Sequence, residues 1–187
     1  MADTDAGWCV FASAIGPLGL AWGPQGLRGA QLPERDDDAV GSATRARMAR
    51  RFARLDEARP PPRWQRLVQD LQALMDGEPV DLSATDIDWT GVPGFHRRVY
   101  ELALAIPPGR TRSYGQLAAA LGEPGAARAV GQALGANPFA PVVPCHRVLA
   151  AQGPGGFSAP GGLPAKFRLL AIEQARPPSP EGQQPLF

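Results

Sequence analysis

Residues 113–149 read SYGQLAAALGEPGAARAVGQALGANPFAPVVPCHRVL, and this stretch carries the features that decide both the fold and the chemistry of the chain. Near its end, Cys145 is followed directly by His146 within a short apolar run. The thiolate is the reactive form of cysteine, and a neighbouring base or cation favours it. The pair therefore indicates an activated nucleophile. Taken alone, it is also compatible with a small buried thiol beside a surface histidine.

The earlier part of this stretch predicts two short helices joined by a turn. Ser113, with Gln116 three positions later, forms a capping box that starts the first helix, which runs through Leu121. A Gly-Glu-Pro-Gly turn follows, and the second helix covers 126–136. Such a pair fits either a helix-turn-helix or an ordinary helical hairpin. The second helix carries small residues around Arg128, so it can lie close against another surface with one long cation projecting.

The segments on either side extend this helical half. Before it, apolar residues at helical spacing predict a helix from Phe95 to Ile106. After it, a helix from Leu163 to Gln174 is expected to turn three residues to the core: Phe167, Leu170 and Ala171. The polar, turn-rich residues 86–93 are the predicted boundary. We expect an N-terminal α/β domain over 1–90, a mainly helical domain over 91–175 and a disordered tail over 176–187.

The first half predicts a small sheet with helices. Residues 8–32 contain three apolar runs separated by Gly-Pro turn signals, which is typical of a β-meander with Cys9 in its core. Helices are expected over 44–58 and 63–75, and a short strand over 80–82. The residues expected to face the core on the second of these helices are Trp64, Leu67, Val68, Leu71, Leu74 and Met75.

Composition narrows the classes of function. The 187 residues are 44% hydrophobic and carry a net charge of only +1, but 91–150 holds six arginines against two glutamates. This local excess fits an anionic partner or an ordinary solvated surface. Two cysteines and two histidines offer neither a disulfide framework nor a zinc site, so no cofactor or metal is expected. Without an apolar span or a basic leader, we expect a cytoplasmic protein with free thiols.

The sequence resembles the O6-alkylguanine-DNA alkyltransferases, which are also called methylated-DNA–protein-cysteine methyltransferases. The likeness covers roughly 94–173. The residues that carry it, in order, are Tyr114, Ala126-Ala127-Arg128-Ala129-Val130-Gly131, Asn137-Pro138 and Val143-Pro144-Cys145-His146-Arg147-Val148. The resemblance implies a ribonuclease-H-like N-terminal α/β domain and a mainly helical C-terminal domain with a winged-helix-like helix-turn-helix.

The family's chemistry implies direct-reversal DNA repair. An alkyl group on guanine O6, or on thymine O4 as a second candidate, is transferred to Cys145 after the base is flipped out of double-stranded DNA. By resemblance, His146 takes the thiol proton through a water and Glu173 orients the histidine. Tyr114 protonates the leaving guanine and Asn137 braces the site. The thioether persists, so each monomer acts once.

The resemblance also assigns residues to DNA and to the base. Arg128 fills the gap left by the flipped base from the minor-groove side. The other expected DNA-binding residues are Ser113, Ala127, Ala129, Gly131 and Arg147. The expected substrate pocket consists of Tyr114, Val148, Phe157 and Ser158, with the Val148 carbonyl accepting from the guanine amine.

Two features depart from the family pattern. Ala159-Pro160 is inserted after Phe157-Ser158, and Pro160 lacks the N–H that a base-contacting loop amide would supply. The last five residues, with Gln183, Leu186 and Phe187, resemble peptides that dock on bacterial sliding clamps. This end is compatible with clamp binding or with a chance apolar terminus.

Two other functions stay open on sequence grounds. The first is a non-catalytic alkyltransferase-like protein that recognises damage without transfer, which the presence of Cys145 disfavours. The second is a hydrolase that uses cysteine, histidine and glutamate on a substrate other than DNA. A hydrolase turns over many times and needs an oxyanion hole, and the sequence suggests none.

Overall fold

An antiparallel meander opens the structure, a computed structural model that describes residues 5–34 and 40–175. Its strands are β1 (Gly7–Phe11), β2 (Leu18–Gly23) and β3 (Gly26–Gln31), paired in the order β1-β2-β3. At the β2–β3 turn, Gly26 has φ +143°, and a Cβ there would lie 2.7 Å from a backbone oxygen, so the tight turn requires glycine. The predicted meander is confirmed.

Two helices cover this sheet. They are α1 (Ser42–Arg51) and α2 (Pro62–Met75). The predicted helix over 44–58 is wrong at its end, because α1 stops at Arg51 and the following chain pairs with β1. Trp8 N donates to the Asp56 carbonyl at 3.1 Å, and Ala58 N donates to the Trp8 carbonyl at 2.9 Å.

The predicted strand over 80–82 is also wrong. Its residues pair with no strand, and a bridge to the meander is made further along, where Ile87 pairs with Leu27. The α2 helix matches its prediction, with Trp64, Leu67 and Leu71 buried on one face.

The second half contains four helices and two very short strands among the described residues. They are α3 (Gly94–Leu104), β4 (Arg112–Ser113), α4 (Tyr114–Ala120), α5 (Ala127–Gly135), β5 (Val148–Leu149) and α6 (Gly162–Ile172). The capping box at the start of α4 is present in both directions. Strands β4 and β5 pair in parallel, Arg112 with Val148 and Ser113 with Leu149. This pairing places the start of α4 beside the chain that follows Cys145.

One apolar cluster joins the two halves. Buried Trp22 and Leu71 from the first half share it with Tyr100, Val130 and Leu169 from the second. Polar contacts also cross between the halves, since the Arg168 guanidinium donates to the carbonyls of Ala14 and Ile15 at 3.0 and 3.3 Å. We find no helix in the described part of the chain that is long and apolar enough to cross a membrane.

The core face of α6 differs from the prediction. Phe167 is 52% exposed, and Leu170 and Ala171 are not buried, whereas Leu169 is 2% exposed and the Lys166 side chain is completely buried. Three carbonyl groups accept hydrogen bonds from the Lys166 ammonium and make its burial possible. The buried face of α6 therefore contains Lys166 and Leu169 in place of the predicted residues. The predicted tail over 176–187 lies outside the described residues.

Candidate active site

Cys145 begins a 3₁₀ turn, Cys145–Arg147, between Pro144 and β5. Its side chain is 7% exposed and lines a cavity of about 520 Å³. Burial raises the pKa of the thiol above its ordinary value, while the Asn137 side chain and the Lys166 ammonium act in the opposite direction. The Cys-His pair had suggested a thiol that is already ionised. The raised pKa instead favours the protonated thiol, which needs a base to become reactive.

A buried network supplies that base. His146 Nε2 lies 2.9 Å from Glu173 Oε1, and the two side chains are 1% and 2% exposed. Arg147 donates from Nε to Glu173 Oε2 and from Nη2 to Oε1, both at 2.8 Å. Glu173 is the C-cap of α6, so the helix end fixes the carboxylate between the two basic groups.

The network sets the protonation state of the histidine. Burial raises the pKa of Glu173, but hydrogen bonds from His146 and Arg147 outweigh it and lower that pKa to about 2. A carboxylate only accepts, so His146 Nε2 carries the hydrogen of this bond. Burial also lowers the pKa of His146, which favours the neutral ring. Its Nδ1, a buried nitrogen with no partner within the described residues, is then an unused proton acceptor.

Arg147 does not lie where the DNA-binding prediction put it. The residue is 5% exposed, and its Nη1 donates to the Ile106 carbonyl while the other donors hold Glu173. Because all three guanidinium nitrogens donate to buried groups, the side chain cannot reach a DNA surface. The structure therefore corrects this assignment, and Arg147 positions Glu173 instead.

Asn137 ties the chain on the other side of Cys145. Its Nδ2 donates to the Val143 carbonyl at 2.8 Å, and its Oδ1 accepts from Phe139 N at 2.9 Å. The next residue, Pro138, is held from the first half, because its carbonyl accepts from Arg51 Nη2 and from Ala30 N. The sequence analysis missed Arg51, whose role depends on a contact 87 residues along the chain.

Tyr114 forms one wall of the cavity. Burial raises the pKa of its hydroxyl, so the group stays protonated and can donate, and here it lies 3.4 Å from the Gly156 carbonyl. The ring packs on Gly155, where φ is +69° and a Cβ would lie 2.7 Å from the ring. Any other residue at position 155 would push Tyr114 out of place.

Helix α5 forms the opposite wall. Ala127, Arg128 and Gly131 line the same cavity as Cys145, and Arg128 is exposed. Ala129 is half-buried and lies outside the cavity lining. Ser113 is the N-cap of α4, and its hydroxyl accepts from Gln116 N at 3.1 Å. The structure thus brings Arg128, but not Ala129 or Ser113, to the mouth of the thiol cavity.

Lys166 is the main residue that sequence reasoning did not find. Its Nζ donates to the carbonyls of Val148 and Pro154 at 2.7 Å and of Gly156 at 3.2 Å. It therefore joins the strand after the Cys145 turn to the loop beside Tyr114. One signal was available: Lys166 is the single lysine among nineteen basic Lys and Arg residues. The Val148 carbonyl, predicted to accept from guanine, already accepts from this ammonium.

The loop with the inserted residues closes the cavity. Phe157 and Ser158, the predicted substrate-pocket residues of this loop, line it, and Ser158 Oγ donates to the Gly135 carbonyl at 2.6 Å. The inserted Ala159 and Pro160 face a second cavity that also reaches Cys145. Within 5–34 and 40–175, we find no group of three or more histidines, cysteines, aspartates or glutamates close enough to hold a metal ion.

The sequence was compared with known protein families and with characterised relatives. Residues 94–175 match the domain family described as 6-O-methylguanine DNA methyltransferase, DNA binding domain. A methylated-DNA–protein-cysteine methyltransferase of Methanothermobacter thermautotrophicus is 32% identical over 157 residues, which are 83% of this chain and 78% of that protein. The protein of that name from Mycobacterium tuberculosis is 45% identical over 113 residues, covering 60% of this chain and 66% of its own length.

A solved structure extends the likeness to the first half. The crystal structure of Mycobacterium tuberculosis OGT in complex with DNA superposes with a TM-score of 0.68 at 35% identity. The match covers 89% of this chain and 92% of that one. It supports an N-terminal sheet with helices followed by a helical part, as the sequence predicted.

Proposed function

The chain belongs to the O6-methylguanine–DNA methyltransferase family, and from this premise we propose that it repairs alkylated DNA by direct reversal. In this proposal, one alkyl group passes from guanine O6 to Cys145, and each molecule acts once. The observation that carries the proposal is the position of Cys145 in the cavity between Tyr114 and Arg128, beside the His146–Glu173 pair. Thymine O4 is a second candidate substrate.

The proposed first step is removal of the thiol proton. His146 Nδ1 is free to accept it, because Nε2 is engaged with Glu173. The imidazolium that forms lies beside a carboxylate of pKa about 2, which stabilises the positive charge. Cys145 Sγ then attacks the alkyl carbon, an S–C bond forms, and the C–O6 bond breaks with its electron pair going to the guanine.

The leaving base must be neutralised for this displacement. Tyr114 is suited to that role, because its raised pKa keeps the phenol protonated and its hydroxyl lies on the cavity wall. In the proposal, it donates toward guanine N3 as charge develops. Asn137 holds the Cys145 turn in place through the Val143 carbonyl and is a positioning residue.

The base can reach Cys145 only if it leaves the duplex. We infer that α5 lies in the minor groove, with exposed Arg128 filling the vacated stack and the small residues Ala127 and Gly131 allowing close approach. The mycobacterial OGT–DNA complex supports DNA as the partner. A monomer acting in the cytoplasm is consistent with two free thiols.

The test is the intact mass of the protein after incubation with a duplex that contains one O6-methylguanine. We expect a gain of one methyl group, about 14 Da for S-methylation, saturating at one per protein. Cys145→Ser should show no gain, whereas the matched control Cys9→Ser should behave as the unmodified chain. Tight lesion binding without a mass gain would make the protein a damage-recognition module, and repeated turnover would indicate a hydrolase.

We also propose that the C-terminal Gln183, Leu186 and Phe187 bind the bacterial sliding clamp. The support is the sequence pattern alone, a Leu-Phe anchor on a polar, Pro-rich segment outside the described residues. A pull-down with purified clamp should lose recovery when residues 183–187 are deleted. Equal recovery with and without them would end this proposal.

A further inference from the structure

A second cavity reaches Cys145 from the side of the first half. It has a volume of about 280 Å³ and shares four residues with the cavity described above: Leu134, Gly135, Cys145 and Ser158. Its far wall is built by α1, β3 and the inserted loop residues Ala159 and Pro160. Cys145 is therefore common to both cavities, whereas Tyr114 lines only the first.

The far wall is cationic. Arg47 and Arg51 both line the cavity, and no aspartate or glutamate is among its lining residues in the described part of the chain. Among residues 5–34 and 40–175, the carboxylate in contact with Arg47 is that of Glu34, whose Oε1 lies 4.0 Å away, and the Arg47 side chain is half exposed. A contact of this length and exposure compensates little of the Arg47 charge.

Arg51 has donors left over. Its Nη1 donates to the Ala30 carbonyl at 2.8 Å and its Nη2 to the Pro138 carbonyl, both neutral groups. A guanidinium carries five N–H donors, so these two bonds leave three that donate to none of the described residues. Burial lowers the pKa of Arg51, and the nearby Arg47 charge lowers it further, as expected for two cations that line one wall. An anion between them would relieve both costs.

From this geometry we propose that the second cavity is a subsite for O6-alkyl groups that end in a carboxylate, held by Arg47 and Arg51 while Cys145 attacks the carbon attached to O6. The inference rests on the proposed function and narrows its substrate class. In the step itself, Sγ bonds to that carbon and the C–O6 bond breaks. Its electron pair leaves with guanine, which takes up a proton, and the carboxylate remains unchanged on the new thioether.

The experiment compares three duplexes with O6-methylguanine, O6-(3-carboxypropyl)guanine or the carboxamide of the same length. The rate of mass gain is measured under single-turnover conditions. We expect the carboxylate to react about tenfold faster than the carboxamide, because charge-assisted hydrogen bonds are roughly twice as strong as neutral ones and a difference of about 1.4 kcal/mol corresponds to tenfold in rate. A ratio near one for the unmodified chain overturns the proposal. No methyl transfer would instead remove the proposed function on which it rests.

Two variants on one helix locate the effect. Arg47→Glu is expected to abolish or invert the ratio of carboxylate to carboxamide rates. The matched control Arg50→Glu makes the same charge change at an exposed position of α1 outside the cavity, and it should keep the ratio. If Arg47→Glu slows all three duplexes equally, Arg47 contacts the DNA backbone and the subsite is refuted. Arg47→Gln repeats the test without a new carboxylate.

Discussion

Two buried cations, one in the Cys145 turn and one on α6, are held in opposite ways. Arg147 faces a carboxylate, with two bonds to Glu173, whereas the partners of Lys166 in the described part of the chain are three carbonyls. Hydrogen bonds from His146 and Arg147 hold the pKa of Glu173 at about 2, whereas burial lowers the pKa of Lys166 to about 8. A buried ion with a counter-ion keeps its charge across the physiological range. One held by dipoles alone stays close to losing it.

The largest effect should come from removing the counter-ion. Glu173→Gln leaves Arg147 buried without its carboxylate and His146 without its acceptor charge, which typically costs about 3–5 kcal/mol of unfolding free energy. Urea denaturation measures this. Glu101→Gln, in the exposed pair with Arg97, is the matched control and should cost less than about 1 kcal/mol. Equal losses in the two variants would contradict the contrast drawn between buried and exposed pairs.

The same pair predicts the acid side of stability. Glu173 has a folded-state pKa of about 2 against an ordinary 4.5, so its contribution is present above pH 4.5 and is lost as pH falls toward 2. The unfolding free energy of the unmodified chain should fall across this window. In Glu173→Gln that part of the fall should be missing. The check is a series of urea midpoints from pH 5, just above that window, down to pH 3, inside it.

A smaller loss is expected when the second cation is replaced by an apolar chain of similar length. Lys166→Met removes a charge that is costly to bury but leaves the carbonyls of Val148, Pro154 and Gly156 without their donor. We expect about 1–3 kcal/mol and a slower methyl transfer, because the loop beside Tyr114 loses its tie to β5. A variant with unchanged transfer rate would show that this tie does not position the loop.

The smallest effect is a pH dependence. Lys166 has a folded-state pKa of about 8 against an ordinary 10.5. The free-energy cost of burying its charge is therefore largest below pH 8, and it decreases as the folded protein loses this proton between pH 8 and 10.5. Its contribution to stability should therefore rise in that window, in the unmodified chain but not in Lys166→Met. Cys9 and Tyr100, with pKa values raised to about 12, act in the opposite direction at higher pH. Comparing the two proteins between pH 8 and 9 isolates the lysine.

Local chemistry was readable from the sequence where neighbours along the chain decide it. The capping box at Ser113 and the turns of the meander depend on residues a few positions apart, and the structure has them where the pattern predicts. The early end of α1 at Arg51 was not readable, because Trp8 draws Asp56 and Ala58 into pairing from far along the chain. Distant pairing overrides helix propensity in such cases.

The candidate site divides in the same way. Cys145, His146 and Tyr114 follow from motif and spacing, but Arg147 and Lys166 took roles that depend on burial. A long cation reads as a surface residue until its partners are known, and the partners here come from Ile106, Glu173 and a loop carbonyl. Apolar periodicity likewise predicted Phe167 as a core residue of α6. A pattern of apolar residues cannot identify a buried lysine whose ammonium donates to carbonyl groups.

The burial of Cys9 has a practical consequence of another kind. Its thiol is 8% exposed in the meander, and burial raises its pKa to about 12, so it resists alkylating reagents while the sheet is closed. The chain has only one other cysteine. In a Cys145→Ser background, the rate at which a reagent labels Cys9 would therefore measure how often the N-terminal sheet opens. Cys9 would then report on the half of the molecule that does not contain Cys145.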